Sequence, residues 1–468
     1  MVSFYNFISH QPDRESFQHN SVGTPKVQGA RFAKAVLRNS QAKGSTRWHS
    51  LESRSTPTNW LCFAPTGHHL SGPGQGYARQ QCLAFLVFDH HPPTGPDMST
   101  LKRTALYDWH VEHGGRMVDF AGWELPVFYE TGAIEEHHAT RTSVGLFDID
   151  HMGQLDVVGP DAVAYVDHLV SSDMTTIPLG GAKYGLLCHD DGTVIDDVIV
   201  YALAPDHMMI VVNAANRDVD LAWVEVHAEG RDVTITDRSD ALEMIAIQGP
   251  NAVQLVDAVT DSHVASVERF SSTTIELFGT LALLGRTGYT GEDGVELYIE
   301  GGVVDVWTGL LARATELGID AAAIGLGARD SLRFEPGYPL YGHELSREIN
   351  PFEARLSWAV DLTDEAGADK DFIGSDALRD IKAAGITRRL ETLTMIDKGV
   401  PREGSVVVDA DGNELGPVVS GMFAPTADVF ACNAFLPREF GEVGTELAID
   451  IRGRQKKAAV AKRPLYRL

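Results

Sequence analysis

Lys183-Tyr-Gly-Leu-Leu-Cys188, Thr193-Val-Ile-Asp-Asp-Val-Ile-Val-Tyr201 and His207-Met-Met-Ile-Val-Val-Asn213 follow one another, separated by the turn-like segments His189-Asp-Asp-Gly192 and Ala204-Pro-Asp206. Short runs rich in β-branched residues, broken by Gly, Pro and Asp, predict a three-strand antiparallel meander. Antiparallel partners share a constant index sum. A turn centred between Asp190 and Asp191 sets Tyr184 opposite Asp197, and a turn centred on Pro205 sets Asp197 opposite Asn213. A bulge at Gly192 would shift the first pairing by one residue. Asp196 and Asp197 lie inside an apolar run, and alternation sends them to opposite faces. Either one carboxylate meets something other than bulk water, or one face of the sheet is open. A tyrosine, a carboxylate and an amide in one row form a recognition surface for a small polar ligand.

Outward from the meander, one internal echo appears. Gly159-Pro-Asp-Ala-Val163, with Val166-Asp167 after it, matches Gly249-Pro-Asn-Ala-Val253, with Val256-Asp257 after it. Each copy follows a short apolar strand, and Pro beside Asp or Asn marks a helix start. Two related α+β units packed together are the expectation. Further helices are expected over Val303 to Leu317, stopped by Gly318, and over about Gly325 to Glu335, stopped by Pro336-Gly337. From about Arg388 the chain turns to short alternating runs, including Ser405 to Val408, Gly416 to Ser420, and Leu447 to Ile451 against Ala458 to Ala461. Such spacing indicates a small β-barrel or sandwich.

Residues 1–97 show no sustained period and end in Pro92-Pro-Thr-Gly-Pro-Asp97, so they read as a disordered or non-native extension, with Met98 a natural start. A transit peptide is the alternative. The extension carries nine Lys/Arg and five Asp/Glu of the chain's 39 and 65, which leaves 30 basic against 60 acidic residues for the body. So acidic a surface argues against nucleic-acid binding, and it suits a salt-rich cytoplasm. No apolar run is long enough to span a bilayer, so no membrane role is expected. Cys62, Cys82, Cys188 and Cys432 show neither metal-ligand nor disulfide spacing, and a reducing cytoplasmic setting is expected. No HxH or HExxH occurs among the His residues, and no metal is called for.

Two more clusters carry polar groups. In Gly288-Tyr-Thr-Gly-Glu-Asp-Gly-Val-Glu-Leu-Tyr298, a tight turn precedes a strand with Val295, Leu297 and Ile299 on one side and Glu296, Tyr298 and Glu300 on the other. Alternation alone favours a solvated Glu296. In Ala328-Arg-Asp-Ser-Leu-Arg333, Arg329 and Arg333 share a helix face, and one of them is expected to point inward and need an anionic partner.

Together with Thr104-Ala-Leu-Tyr-Asp-Trp-His110, Phe120-Ala-Gly-Trp-Glu-Leu-Pro126 and Asp148-Ile-Asp-His-Met152, these clusters resemble, in order, the aminomethyltransferase (T-protein) family of the glycine cleavage system. Asp150 stands where that family usually shows Ser. The likeness covers about residues 101–468. It implies an α+β, three-domain clover-leaf folate-binding fold, with antiparallel sheets, helices and a split βαβ unit, and a C-terminal β-barrel. The expected division is 98–360 for the folate-binding region and 380–468 for the barrel. It implies release of ammonia from an aminomethyl group on the lipoyl arm of the H-protein, with transfer of the one-carbon unit to tetrahydrofolate as 5,10-methylenetetrahydrofolate. By the same resemblance Asp197 is the catalytic residue, at the N5/N10 edge of the pterin. Tyr184, Asn213 and Tyr289 line the pocket, Glu296 binds the pterin edge, and Arg329 belongs to the substrate site. Trp358 packs on the folate's aromatic portion or in the core, and Arg402 reaches the folate tail. The setting is cytoplasmic, or mitochondrial if the extension is a transit peptide.

Two rivals share this pattern in part. Folate-dependent demethylases of methylated amines usually carry a flavin-binding half, and no GxGxxG follows a strand near this chain's start. A folate-binding accessory protein without transferase activity would lack parts of the catalytic set, whereas Asp197, Glu296 and Arg329 are all present.

Overall fold

A computed structural model describes residues 100–364 and 366–468; the expectations for residues 1–97 lie outside them. Two copies of one unit organise the first part. The first runs from strand Gly153–Val158 through helix Ala162–Leu169, the 3-10 turn Met174–Thr176, strands Ala182–Cys188, Val194–Ala204 and His207–Val212, to helix Arg217–Val226. The second repeats that order as strand Glu243–Gln248, helix Ala252–Asp257, turn Val264–Ser266, strands Ser272–Leu277, Thr280–Gly285 and Gly294–Ile299, and helix Val303–Leu317. The echo in sequence therefore marks a true structural repeat.

Its residues have matching tasks. Asp167 Oδ1 accepts the backbone N–H of Met174 at 2.7 Å, and Asp257 Oδ1 accepts that of Val264 at 2.5 Å. Each carboxylate thus closes the loop between its helix and its 3-10 turn. Gly159 and Gly249 sit at φ of +151° and +128°, and a Cβ on either would fall 2.2 Å from a backbone carbonyl oxygen, of Asp232 and Ser143 respectively. Only glycine permits the chain to pass so close.

In each unit the meander lies beside the unit's first strand. One sheet has the order 182–188, 194–204, 207–212, 153–158 and then Thr234–Asp237; the other has 272–277, 280–285, 294–299, 243–248, then Val144–Asp148 and Ala321–Ile324. Side-chain alternation splits each sheet's residues between two cores. Leu155, Val157, Val198, Val200 and Ile210 pack under the first unit's helices, and Ile245, Ile247, Leu297 and Ile299 pack under the second unit's, with Trp307 and Leu310. Residues of the opposite parity, among them Tyr201, Met209, Val211, Met244, Ala246 and Tyr298, meet between the sheets.

The register differs from the sequence expectation on one side. Tyr184 pairs with Ile199, and Asp197 with Leu186, because the turn centres on Asp191 and a bulge falls between Leu187 and Cys188. The combined slip is two residues, so every side chain keeps its face. On the other side Ile199 pairs with Val211, the index sum that sets Asp197 against Asn213.

The C-terminal strands Arg388–Met395, Val406–Val408, Glu414–Ala424, Val429–Pro437, Glu446–Asp450 and Gln455–Val460 form a closed barrel. Barrel and sheets are tied by buried charge: Glu344 receives Arg333 Nη1 at 2.8 Å and Asn433 Nδ2 at 2.8 Å. Arg333 is thus the inward arginine with an anionic partner.

Candidate active site

At one end the two sheets enclose a cavity of about 250 Å³, and Tyr184, Asp197, Asn213, Tyr289, Glu296, Arg329 and Trp358 all line it. Arg402, in the loop between the first two barrel strands, does not. Asp197 arrives from the first sheet with the parity of Ile199 and Tyr201, and Glu296 from the second with the parity of Tyr298. The polar row of Gly294–Ile299 therefore faces the other sheet rather than solvent, contrary to what alternation alone favours for Glu296. Alternation marks two faces; it cannot say which one a second sheet will cover.

Asp197 Oδ1 accepts from Asn213 Nδ2 at 2.9 Å, and Oδ2 accepts from the Tyr184 phenol at 3.1 Å. Despite the slipped register, the row expected from sequence is bonded, with Tyr184 reaching Asp197 diagonally. On the opposite face Asp196 accepts from Asn213 Nδ2 at 2.9 Å, Asn213 N at 2.9 Å and Asn216 Nδ2 at 2.7 Å. One amide therefore clamps two neighbouring carboxylates that point apart.

Asp220, fully buried on helix Arg217–Val226, packs against Asp196 and meets no other hydrogen-bond donor among the described residues. Burial, then the charge of Asp196, pushes its carboxyl up to about 11. With three donors Asp196 is the better-stabilised anion, so the pair's proton rests on Asp220. Burial first, and Asp196 second, push Asp197 up to about 7 against the hydrogen bonds from Tyr184 and Asn213.

Glu296 is held differently. Thr287 Oγ1 donates to its Oε2 at 2.5 Å, and the Tyr201 hydroxyl lies 2.8 Å from that threonine oxygen. Glu296 Oε1 takes no hydrogen bond from the described residues, and burial raises its carboxyl above the usual range. Arg329 makes no ion pair among the described residues; its guanidinium lies 5.0 Å from the centre of the Tyr289 ring, whose hydroxyl donates to Pro339 O. An arginine enclosed without a carboxylate partner, on the same cavity wall as Glu296, is chemically able to meet a polar group in the cavity.

Trp358 is 58% exposed and stacks on Tyr184 with 5.1 Å between ring centres. That places it at the rim and excludes the core role. Asp150, outside the cavity lining, accepts from Met244 N at 3.0 Å, an acceptor task a serine could also fill. The sequence reading did not single out Asn216 or Asp220 as partners of Asp196, nor His151 and Thr287 as cavity residues. A helix carrying Asp220 beside a strand with paired aspartates is the signal that was available.

The GCVT N-terminal domain model matches residues 106–364, and the glycine cleavage T-protein C-terminal barrel domain model matches 388–467. An aminomethyltransferase of Herpetosiphon aurantiacus is 44% identical over 369 residues, 78% of this chain and 99% of that protein. The Bacillus subtilis aminomethyltransferase is 39% identical over 369 residues, again 78% and 99%. The crystal structure of glycine cleavage system aminomethyltransferase T from Bartonella henselae superposes with a TM-score of 0.72 at 30% identity, over 78% of this chain and 98% of that one. With both halves of the fold matched in order, the chain belongs to the aminomethyltransferase (T-protein) family of the glycine cleavage system.

Proposed function

We propose that this aminomethyltransferase takes tetrahydrofolate as co-substrate in the cavity between its sheets and receives the aminomethyl group from the lipoyl arm of an H-protein. The observation that carries this reading is the pair of carboxylates entering one cavity from opposed sheets, Glu296 with an unoccupied oxygen and Asp197 near neutrality. A tetrahydropterin offers an amino group beside a ring N–H. A carboxylate held from one side by Thr287 suits that pair as a fixed acceptor.

At the other end, Asp197 faces the position of the nitrogens that take the one-carbon unit. As ammonia leaves, positive charge develops on the transferred carbon, and a carboxylate already fixed by Tyr184 and Asn213 stabilises it without reorganising. N5 then forms its bond to that carbon and N10 closes the ring by displacing the sulfur; of the two protons the nitrogens give up, one balances the departed ammonia and the other leaves on the free dihydrolipoyl thiol. Tyr289 and Arg329 belong to the same pocket wall, and Trp358 offers its face at the rim to the aromatic portion of the folate. A cytoplasmic setting accompanies this reading, supported by the bacterial origin of the relatives.

The test is ammonia release and methylenetetrahydrofolate formation from aminomethylated H-protein, with and without tetrahydrofolate, for the parent and Asp197→Ala. Folate-dependent turnover that collapses in the variant is the expected result. A well-folded parent that binds folate without turnover would favour an accessory role, and turnover with a methylated amine instead would favour a demethylase.

A further inference from the structure

His151 follows strand Val144–Asp148 in the turn before Gly153–Val158, and its ring lines the cavity although the residue is only 3% exposed. The Phe120 ring meets it edge to face, 5.4 Å between centres and 88° between planes. Neither ring nitrogen makes a hydrogen bond among the described residues. Nδ1 is sealed from solvent without a partner, whereas Nε2 is not sealed. Buried polar atoms in folded proteins are almost always paired, so an imidazole left with two free nitrogens on a cavity wall calls for an explanation.

The groups around it decide which tautomer it holds. Burial, and next the Arg329 guanidinium, drive the imidazole down to about 3, with Asp148 opposing, so the ring is neutral under all ordinary conditions. A neutral ring has one N–H and one lone pair. A sealed N–H without an acceptor is a costlier arrangement than a sealed lone pair. The lone pair thus belongs on Nδ1, which leaves Nε2–H as the open atom.

We infer that His151 is a ligand-binding residue that donates its Nε2–H to a ring carbonyl oxygen of the bound pterin. This rests on the folate reading above. In a tetrahydropterin the carbonyl oxygen follows directly after the amino group and ring N–H that Glu296 would accept. Glu296, Arg329 and His151 line the same cavity, and the Arg329 charge is felt by both of the others. A fixed acceptor and a fixed donor in that order read an amino–N–H–carbonyl edge and reject a ring carrying the groups reversed.

Calorimetry with tetrahydrofolate on the full chain tests it, using the parent, His151→Phe and His151→Gln, with melting temperatures taken alongside. The expected result is about a tenfold loss of affinity in His151→Phe, the size of one hydrogen bond. Much of that loss returns in His151→Gln, which restores a neutral donor. In the ligand-free protein, long-range nitrogen spectra of labelled histidine, assigned by difference with His151→Gln, should show an Nε2–H tautomer that does not titrate between about pH 5 and 8. Unchanged affinity in a folded His151→Phe, an Nδ1–H tautomer, or a ring that titrates in that range would overturn the inference while leaving the folate reading intact. Failure of the parent to bind tetrahydrofolate would instead remove the folate reading, and this inference with it.

Discussion

Asp197 and Glu296 enter one cavity from two different sheets, and only Asp197 has a second carboxylate, Asp196, at its back. Two carboxylates in one pocket therefore have different electrostatic settings: burial and then Asp196 raise Asp197, whereas burial raises Glu296 against the Thr287 hydroxyl and the Arg329 charge.

The first consequence is a pH profile. Asp197 is pushed from 3.8 up to about 7. If its ionised form stabilises the transition state, turnover falls as pH drops through about 7. Asp197→Asn should have much lower turnover with that acidic limb gone, while folate affinity changes far less. Stability has the opposite sign: between the two values the folded state holds more protons than the unfolded, so this residue's contribution favours folding at low pH and is lost as pH rises through about 7. Thermal melts of the parent and Asp197→Asn from pH 5 to about 8 check both the direction and its removal.

Asp220 is expected to tolerate one change and not another. Asn keeps a neutral donor against Asp196, so Asp220→Asn should melt close to the parent. Asp220→Leu leaves Asp196 buried with one donor fewer and should cost about 1–3 kcal/mol, read by urea unfolding.

For Glu296→Gln, an amide replaces the acceptor that faces the proposed ligand edge. Tetrahydrofolate affinity should fall by about 1.5–3 kcal/mol, the range for hydrogen bonds to a charged group, with turnover at saturation changed much less. Steady-state KM against kcat separates the two.

Gly159→Ala and Gly249→Ala should each destabilise the fold by about 1–3 kcal/mol, since both glycines hold positive φ against a carbonyl of a neighbouring segment. Near-equal losses in chemical denaturation are expected because the two positions are equivalent in the repeat.

Much of this was legible in the chain itself. The echo announced the duplicated unit because turn chemistry is local: Gly, Pro and Asp or Asn specify a helix start without help from the rest of the molecule. The barrel was readable for the same reason. The Tyr184, Asp197 and Asn213 row survived a wrong register because an error of two residues preserves the face. Glu296 was harder, since its surroundings come from another sheet, whose strand Val194–Ala204 ends more than ninety residues earlier in the chain, and strand periodicity carries no information about that. Asp220 and His151 were hard to read for a related reason. What distinguishes them is what they meet on burial, a second acid for Asp220 and no partner for His151, a property of the packed interior that local sequence does not encode.

The duplicated unit has a consequence for how the pocket can vary. Asp197 belongs to the middle meander strand of the first copy, and Glu296 to the last meander strand of the second. A symmetric pair of separate half-length chains would be forced to place each of these acids twice, once in every cleft related by the twofold axis. Joined in tandem, the copies are released from that obligation: one wall can be tuned for chemistry and the other for grip, and a change in either is made once.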